Sequence, residues 1–422
     1  MGLLQIPLPI FLKDIKDRSE LMERRNFLKS SGLIAGGLLI NNTLFAMNRQ
    51  QAGPVKIAVI GCGDRGRGII HVLNGMPDQF RITAVCDVLN FRLSAAQKLD
   101  KTGSWKTYTD YRKLLDQKDI DAVIVAVPLH MHYPIATEVI TSGRHLYLEK
   151  TMTYNIEQAQ ALVKLMQERN KQVLQVGHQY RYSPLYYKVK EIIDKGYLGK
   201  ITQVDCRWDR NTSWRRSVTD PALERTINWR MYKEYSGGLV AELLSHQIDF
   251  INWVFDTHPQ EFYATGGIDI FKDGRETYDN VQVMMRYPQM GLTANFGAMC
   301  GNAHDGYLFK IKGTRGMVSL LTDQGMFFPE KGPANDKETV DGVTGATRIT
   351  WSKDGGMPIL PEPTKDGTLY ALEDFYKKIR TATLPDSNVF TGARTAICVH
   401  LANQALYSNQ NMHWDDKYNS GG

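Results

Sequence analysis

Lys150, Glu242 and His246 are the side chains whose types and surroundings best suit proton transfer. Glu149-Lys150 follows the apolar run His145-Leu146-Tyr147-Leu148. A lysine at the carboxyl end of a strand can donate to a hydroxyl or carbonyl oxygen, and burial would lower its pKa toward proton-transfer use. The same residue also reads as a salt-bridged surface lysine. Glu242 and His246 lie in Gly237-Gly238-Leu239-Val240-Ala241-Glu242-Leu243-Leu244-Ser245-His246-Gln247-Ile248-Asp249. Four residues apart, they share one helix face. The glycine pair permits close approach at the helix entry. A histidine near neutral pKa can take an alcohol proton while hydride leaves the same carbon, with Glu242 orienting or tuning it. The pair also reads as half of a metal site, or as a core histidine with a polar neighbour.

What hydride acceptor the chain offers is written in Gly61-Cys62-Gly63-Asp64-Arg65-Gly66. This segment follows the apolar run Val55–Ile60 and opens a helix-like stretch, Ile69–Leu73. A second apolar run, Ile82–Cys86, ends in Asp87, which lies 21 residues beyond Gly66. Strand, glycine turn, helix and spaced acid form the dinucleotide-binding fingerprint. Its glycines serve the turn, the pyrophosphate approach and the helix packing, and its acid holds the ribose hydroxyls. A carboxylate at Asp87 repels a 2′-phosphate and favours NAD over NADP; Arg65, Arg67 and Arg92 nearby act against that preference. Lys150 then falls beside the nicotinamide.

Two further segments carry candidate ligand contacts. Gly177-His178-Gln179-Tyr180-Arg181-Tyr182-Ser183-Pro184 lies where the chain leaves the first domain. Tyr180 and Arg181 could bind substrate there, or Arg181 could hold the two domains together. Arg207-Trp208-Asp209-Arg210-Asn211-Thr212-Ser213-Trp214-Arg215-Arg216, followed by Asn228-Trp229-Arg230, suits a sugar. Tryptophan faces stack on apolar sugar faces, while Arg and Asn satisfy hydroxyls. These residues, Trp208, Trp229 and Arg230 among them, could instead pack loops or a subunit contact. His71, His304, His400 and His413 read as structural or surface histidines.

The elements that must position these groups fall into two patterns. Between Val55 and Gly177, short apolar runs at 55–60, 82–86, 121–127, 145–148 and 172–176 alternate with helical stretches at 109–116, 132–142 and 155–169. Such alternation predicts a parallel sheet with helices on both faces. Pro128 ends the run 121–127 at the crevice side. Beyond Gly177, alternating runs at 201–207, 261–267, 280–287, 292–298, 308–313 and 317–321 predict antiparallel strands of one broad sheet. Helices are expected at 184–195, 239–255, 367–381 and 391–408, the last two packing back on the body, with loops and a hairpin over 324–366. The predicted fold class is therefore α/β: an N-terminal Rossmann dinucleotide-binding domain over 54–177, and a C-terminal α+β domain over 178–422 with a large, mostly antiparallel open sheet.

A chain of 422 residues suits two domains, and 42% hydrophobic with 23% charged residues is ordinary for a soluble globular protein. The net charge of +6 is shared with the leader: residues 1–53 hold seven Lys/Arg and four Asp/Glu, a surplus of +3. No basic stripe with interleaved aromatics points to nucleic acid. The five cysteines form no CxxC pair, so neither a disulfide framework nor a zinc site is suggested, and no metal is expected.

Within the leader, Glu23-Arg24-Arg25-Asn26-Phe27-Leu28-Lys29 precedes a small and apolar run from Ser30 to Ile40. This resembles a bacterial twin-arginine export signal. The expectation is export to the periplasm, with cleavage after Ala46 or, because Leu44 is a poor small-residue partner, an uncleaved membrane anchor. Met22 offers a second start just before the motif. Twin-arginine export carries folded proteins, so a cofactor bound in the cytoplasm would travel with its protein.

Taken together, Gly61–Gly66, Pro128 with His132, Glu149-Lys150, Gly177–Pro184 and Gly237–Asp249 resemble the glucose–fructose oxidoreductase, inositol dehydrogenase and MocA (Gfo/Idh/MocA) family, from about Val55 to the C-terminus. The resemblance implies Lys150, Glu242 and His246 as the catalytic group. It implies cofactor contacts from Gly61, Gly63, Asp64, Arg65, Gly66, Asp87, Pro128, His132, Glu149, Lys150 and Gln179. It also implies a sugar or glycoside as substrate, and a homo-oligomer formed through the open sheet. The family's proline after the lysine is Thr151 here, its usual Asp is Glu242, and Val127 and Leu129 replace the Thr and Asn around Pro128. Three activities fit: a sugar oxidoreductase, an NAD-dependent glycosidase or lyase working by transient oxidation, and a non-catalytic cofactor-binding protein.

Overall fold

The computed structural model describes residues 53–304, 306–330 and 356–419. The leader with its expected export signal, and most of the loop region predicted over 324–366, lie outside them. The first sheet has six parallel strands in the order β3-β2-β1-β4-β5-β6. These are β1 (Val55–Ile60), β2 (Phe80–Cys86), β3 (Lys106–Tyr108), β4 (Ala122–Val125), β5 (His145–Leu148) and β6 (Leu174–Val176). All four residues of β4 are buried, as expected of a parallel strand covered on both faces. Helices α1 (Asp64–Asn74), α2 (Asn90–Gln97), α3 (Tyr111–Leu115), α4 (His132–Thr141) and α5 (Ile156–Glu168) make the crossovers. The strand order reverses between β1 and β4, and ligands bind at such a switch point, outside the carboxyl ends of the strands.

Helix α6 (Pro184–Asp194) leads into a second sheet of nine strands, ordered β14-β13-β12-β11-β7-β10-β9-β8-β15. Its strands are β7 (Ile201–Trp208), β8 (Glu261–Gly267), β9 (Asn280–Tyr287), β10 (Leu292–Met299), β11 (Tyr307–Gly313), β12 (Gly316–Leu320), β13 (Gly325–Pro329), β14 (Met357–Pro358) and β15 (Met412–His413). The pairing is antiparallel except between β7 and β10. In β9, Val281, Val283, Met285 and Tyr287 are buried while Gln282 and Met284 are exposed, so one face is covered and the other open. Helix α7 (Ser245–Val254), α8 (Gly367–Thr381) and α9 (Val389–Ser408) complete the fold.

The C-terminal helices do pack back on the body. Ala371, Leu372 and Phe375 of α8 belong to the core of the first sheet, with Phe375 edge-on to Tyr147 at 5.8 Å. A side chain as buried as Phe375 contributes about 1.5–3 kcal/mol. The two sheets are therefore joined by more than the chain between β6 and α6. All five cysteines are free and buried, and burial pushes Cys62, Cys86 and Cys398 up to about 12, which leaves them as thiols.

Candidate active site

The glycine turn is built by its neighbours. Gly61 has φ +96°, and a Cβ there would meet the Ala126 carbonyl oxygen at 2.2 Å; one on Gly66 would meet the Gly61 oxygen at 1.8 Å. Gly61 and Gly66 thus lie under the crevice as packing positions. A Cβ on Gly63 would find nothing nearer than the Arg92 guanidinium at 4.0 Å, so the backbone there is open to a ligand. Gly63 caps α1 without a side-chain hydrogen bond, leaving the first-turn amides available to an anion. These features fit a dinucleotide pyrophosphate. Asp87 is 7% exposed, and its carboxylate accepts the Cys62 amide at 2.8 Å and the Leu89 amide at 2.9 Å. It braces the turn, outside the lining of the cleft.

The carboxyl ends of β1, β4 and β5 open onto a cleft of about 890 Å³. Lys150, Glu242 and His246 all line it, as do Gly63, Asp64, Arg65, Pro128, His132, Glu149 and Gln179. Tyr180, Trp208, Trp229 and Arg230 face it from the second domain. Arg181 does not. It is 2% exposed, and its guanidinium grips Asp249 through two hydrogen bonds, at 2.6 and 3.0 Å, and the Asp386 carbonyl at 2.9 Å. The substrate role expected of Arg181 is corrected to the domain-holding alternative, because its guanidinium is buried against the Asp249 carboxylate and does not line the cleft.

One departure from a plain helix places Lys150, Glu242 and His246. The segment predicted as one helix over 239–255 opens with a π-turn, Val240–Leu244, before α7 begins at Ser245. The carbonyls of this wider turn are offered to side chains. The Lys150 ammonium donates to the Glu242 carbonyl at 2.7 Å, and the Thr151 and Ser245 hydroxyls donate to the Ala241 carbonyl at 3.1 and 2.8 Å. Gly238 enters with φ +63°, and a Cβ on Gly237 would meet that of Ala241 at 2.6 Å, so the glycine pair is required sterically. The Lys150–Thr151 peptide bond is cis.

Electrostatics divides the labour. Burial, with the Lys150 ammonium second, holds the His246 imidazole well below its usual value and therefore neutral. Its Nδ1 is buried and has no hydrogen-bond partner among the described residues, and the ring packs against Tyr180 at 4.8 Å and Trp208 at 5.7 Å. Burial also lowers Lys150, although Glu242 and Glu149 oppose the shift. Burial alone would raise Glu242, but Arg230 and Lys150 outweigh it and keep it ionised. Arg230 reaches the Glu242 carboxylate at 2.8 Å. Arg65 ties the glycine turn to Glu149 at 2.7 Å and to Thr368 of α8 at 2.9 Å. His132 stands between the Thr151 and Val127 carbonyls at 2.7 and 3.0 Å, bracing the loops after β4 and β5.

The expectations above assigned no role to His178, which is 1% exposed, 3.3 Å from Asp249 and 6.0 Å from the His246 ring. Its place in the Gly177–Pro184 segment was the only available signal. Phe91 and Ile227 also line the cleft unforeseen. Among the described residues, no three or more His, Cys, Asp and Glu side chains gather as a metal cage.

The profile of an oxidoreductase family with an NAD-binding Rossmann fold matches residues 55–178, and that of the Gfo/Idh/MocA C-terminal domain matches 186–319. The chain belongs to the Gfo/Idh/MocA family. Inositol 2-dehydrogenase/D-chiro-inositol 3-dehydrogenase of Lactiplantibacillus plantarum is 26% identical over 48% of the chain and 53% of its own length. Glycosyl hydrolase family 109 protein 2 of Shewanella sp. is 26% identical over 51% of the chain and 52% of its own length. The chain thus spans about half the length of these curated Gfo/Idh/MocA relatives. Among solved structures, a levoglucosan dehydrogenase in complex with NADH and L-sorbose superposes with a TM-score of 0.69 at 20% identity, over 86% of this chain and 99% of that one. That likeness speaks for the fold.

Proposed function

We propose that this Gfo/Idh/MocA protein oxidises a ring carbinol of a sugar or glycoside with NAD. The observation that carries the reading is the convergence of neutral His246, half-buried Lys150 and ionised Glu242 on the cleft beside the glycine turn. A bound nicotinamide supplies the hydride acceptor. Turning a carbinol into a ketone releases one hydride and one proton, and His246 accepts the proton from the hydroxyl oxygen. Lys150 donates to that same oxygen. Glu242, clamped by Arg230, keeps the lysine charged and in place. Tyr180 and Trp208 offer aromatic faces to the sugar. The relatives' names as inositol and levoglucosan dehydrogenases support a polyol or sugar. Arg65 and Arg67 are occupied, by Glu149 and by Asp64, which favours NAD over a cofactor with a 2′-phosphate.

Lys150→Ala and His246→Ala are each expected to lose turnover by about 10²-fold or more while retaining cofactor. Reduced-nicotinamide absorbance reads the first, and mass spectrometry of the released cofactor the second. Full activity in either variant removes that residue from the mechanism.

A second reading is hydrolysis or elimination by transient oxidation, with no net redox change. It is favoured by the glycosyl hydrolase relative and by the segment 209–217, which reaches over the glycine turn so that Arg216 ion-pairs with Asp64. A strap there would retain cofactor. Export by the leader favours it too, because no NAD pool serves a freely exchanging cofactor outside the cytoplasm. The deciding assay adds a chromogenic glycoside to purified protein without NAD. Many turnovers of aglycone release establish this reading, and one turnover or none excludes it. Periplasmic location and a homo-oligomer through the open sheet face belong to the same proposal; fractionation of cells and light scattering test them.

A further inference from the structure

Among the described residues, seven guanidinium groups and one ammonium line the cleft, against three carboxylates. A dinucleotide pyrophosphate brings two negative charges, so the cleft keeps a positive surplus once the cofactor is bound. Pairing shows where the surplus lies. Arg65 is held by Glu149, Arg67 and Arg216 by Asp64, Arg230 by Glu242, and Arg215 by Glu224 and Asp273. Lys150 is fixed by backbone carbonyls next to the base. Arg92 stands against Gly63, on the cofactor side. Arg210 remains. Among the described residues its guanidinium has no ion pair and no hydrogen bond, only the face of Trp208 at 5.4 Å.

The placement of Arg210 is built. Successive residues of an extended chain point to opposite faces. Asp209 is buried and accepts the Met299 amide at 3.0 Å, so Trp208 and Arg210 turn the other way, into the cleft. The Arg210 amide donates to the Met299 carbonyl at 2.7 Å and the Thr212 amide to the Cys300 carbonyl at 3.0 Å, which pins the strand end. Arg275, 6% exposed, holds the Ser213 carbonyl at 2.9 Å, and Asn228 receives the Arg216 amide at 2.7 Å. Trp208 lies against His246, so a sugar stacked on the tryptophan is bracketed by the base and by Arg210. The Arg210 guanidinium, 5.4 Å over the Trp208 ring and without an ion pair among the described residues, offers a fork that matches a planar oxyanion.

We infer that the substrate is an anionic sugar, a pyranoside carrying a carboxylate or another oxyanion that Arg210 engages while the ring stacks on Trp208. This rests on the oxidation reading above and names its substrate class. The test uses the full protein with its cofactor and matched methyl pyranosides of gluco, galacto and manno configuration, each as the neutral sugar, the uronate and the 6-sulfate. Binding is followed by calorimetry and hydride transfer by absorbance. At least one anionic member is expected to bind about tenfold more tightly than its neutral partner, ~1.4 kcal/mol. Arg210→Ala removes that preference chiefly through KM, and Arg210→Lys restores part of it. The uronate and sulfate arms separate a carboxylate from an ester anion. Hydride transfer without preference for the anionic member, or a preference that survives Arg210→Ala, overturns the inference and leaves the oxidation reading standing. Arg210-dependent binding of an anionic sugar without hydride transfer does the reverse. No binding and no transfer with any member overturns both.

Discussion

At the scale of single residues, proton inventory decides the chemistry. His246 works as a base only when neutral, and its pKa is held well below 6.5. Turnover is therefore lost only as pH falls through that lowered value, so activity persists below pH 6.5, where an ordinary histidine is protonated. Lys150 works as a donor only when charged, and burial pulls it below 10.5, so turnover falls as pH rises through a value under 10.5. Glu242 opposes that fall, since its charge favours the ammonium. Glu242→Gln is thus expected to shift the alkaline limb of the kcat profile to lower pH and to spare the acid limb; an unmoved alkaline limb would sink the assignment of Lys150 to it. The sequence offered Lys150, Glu242 and His246 as pairs of residues with bland alternatives, and the cleft brings all three together. For Arg181 the sequence offered both readings but not the choice between them, because its partner Asp249 lies 68 residues away and nothing local to Arg181 marks it as buried. The Arg65–Thr368 contact crosses 303 residues and was equally hidden.

At the scale of elements, long periodic segments were legible and short or irregular ones were not. The run 55–60 and the helix 367–381 appear with the predicted bounds. β3, β14 and β15 have two or three residues each, too few for periodicity to register. The π-turn at Val240–Leu244 escaped for a different reason: an extra residue per turn changes the hydrogen bonding without changing the residue types. Yet this turn exposes the carbonyl that holds Lys150. The glycine turn is the reverse case, fully written in the sequence and sterically enforced. Gly66→Ala would drive a Cβ to 1.8 Å from the Gly61 carbonyl, and backbone cannot yield as a side chain can. The expected result is loss of cofactor during gel filtration, with far-ultraviolet circular dichroism retained. Stoichiometric cofactor in that variant would show that the turn opens without cost.

At the scale of the whole molecule, the C-terminal helices make one body of two sheets, and buried histidines sit in that seam. His400 of α9 points its Nε2 at the Thr153 carbonyl, 2.9 Å away, just beyond Lys150; His178 lies between Arg181, Asp249 and His246. Burial pulls both down to about 4. Each folded value is depressed below the 6.5 of an exposed histidine, so the unfolded chain binds protons that the native protein refuses. The stability they contribute is complete above pH 6.5 and drains away as pH falls toward 4. The melting temperature is accordingly expected to drop steeply between pH 6.5 and 4.5, while it changes little between 7 and 8. His400→Gln keeps a donor for the Thr153 carbonyl but removes one titrating group. Its melting temperature should therefore fall less over the same acid interval than that of the parent, whatever its value at pH 7. Parallel curves for the two proteins would mean that His400 charges without resistance and that the acid sensitivity lies elsewhere in the seam.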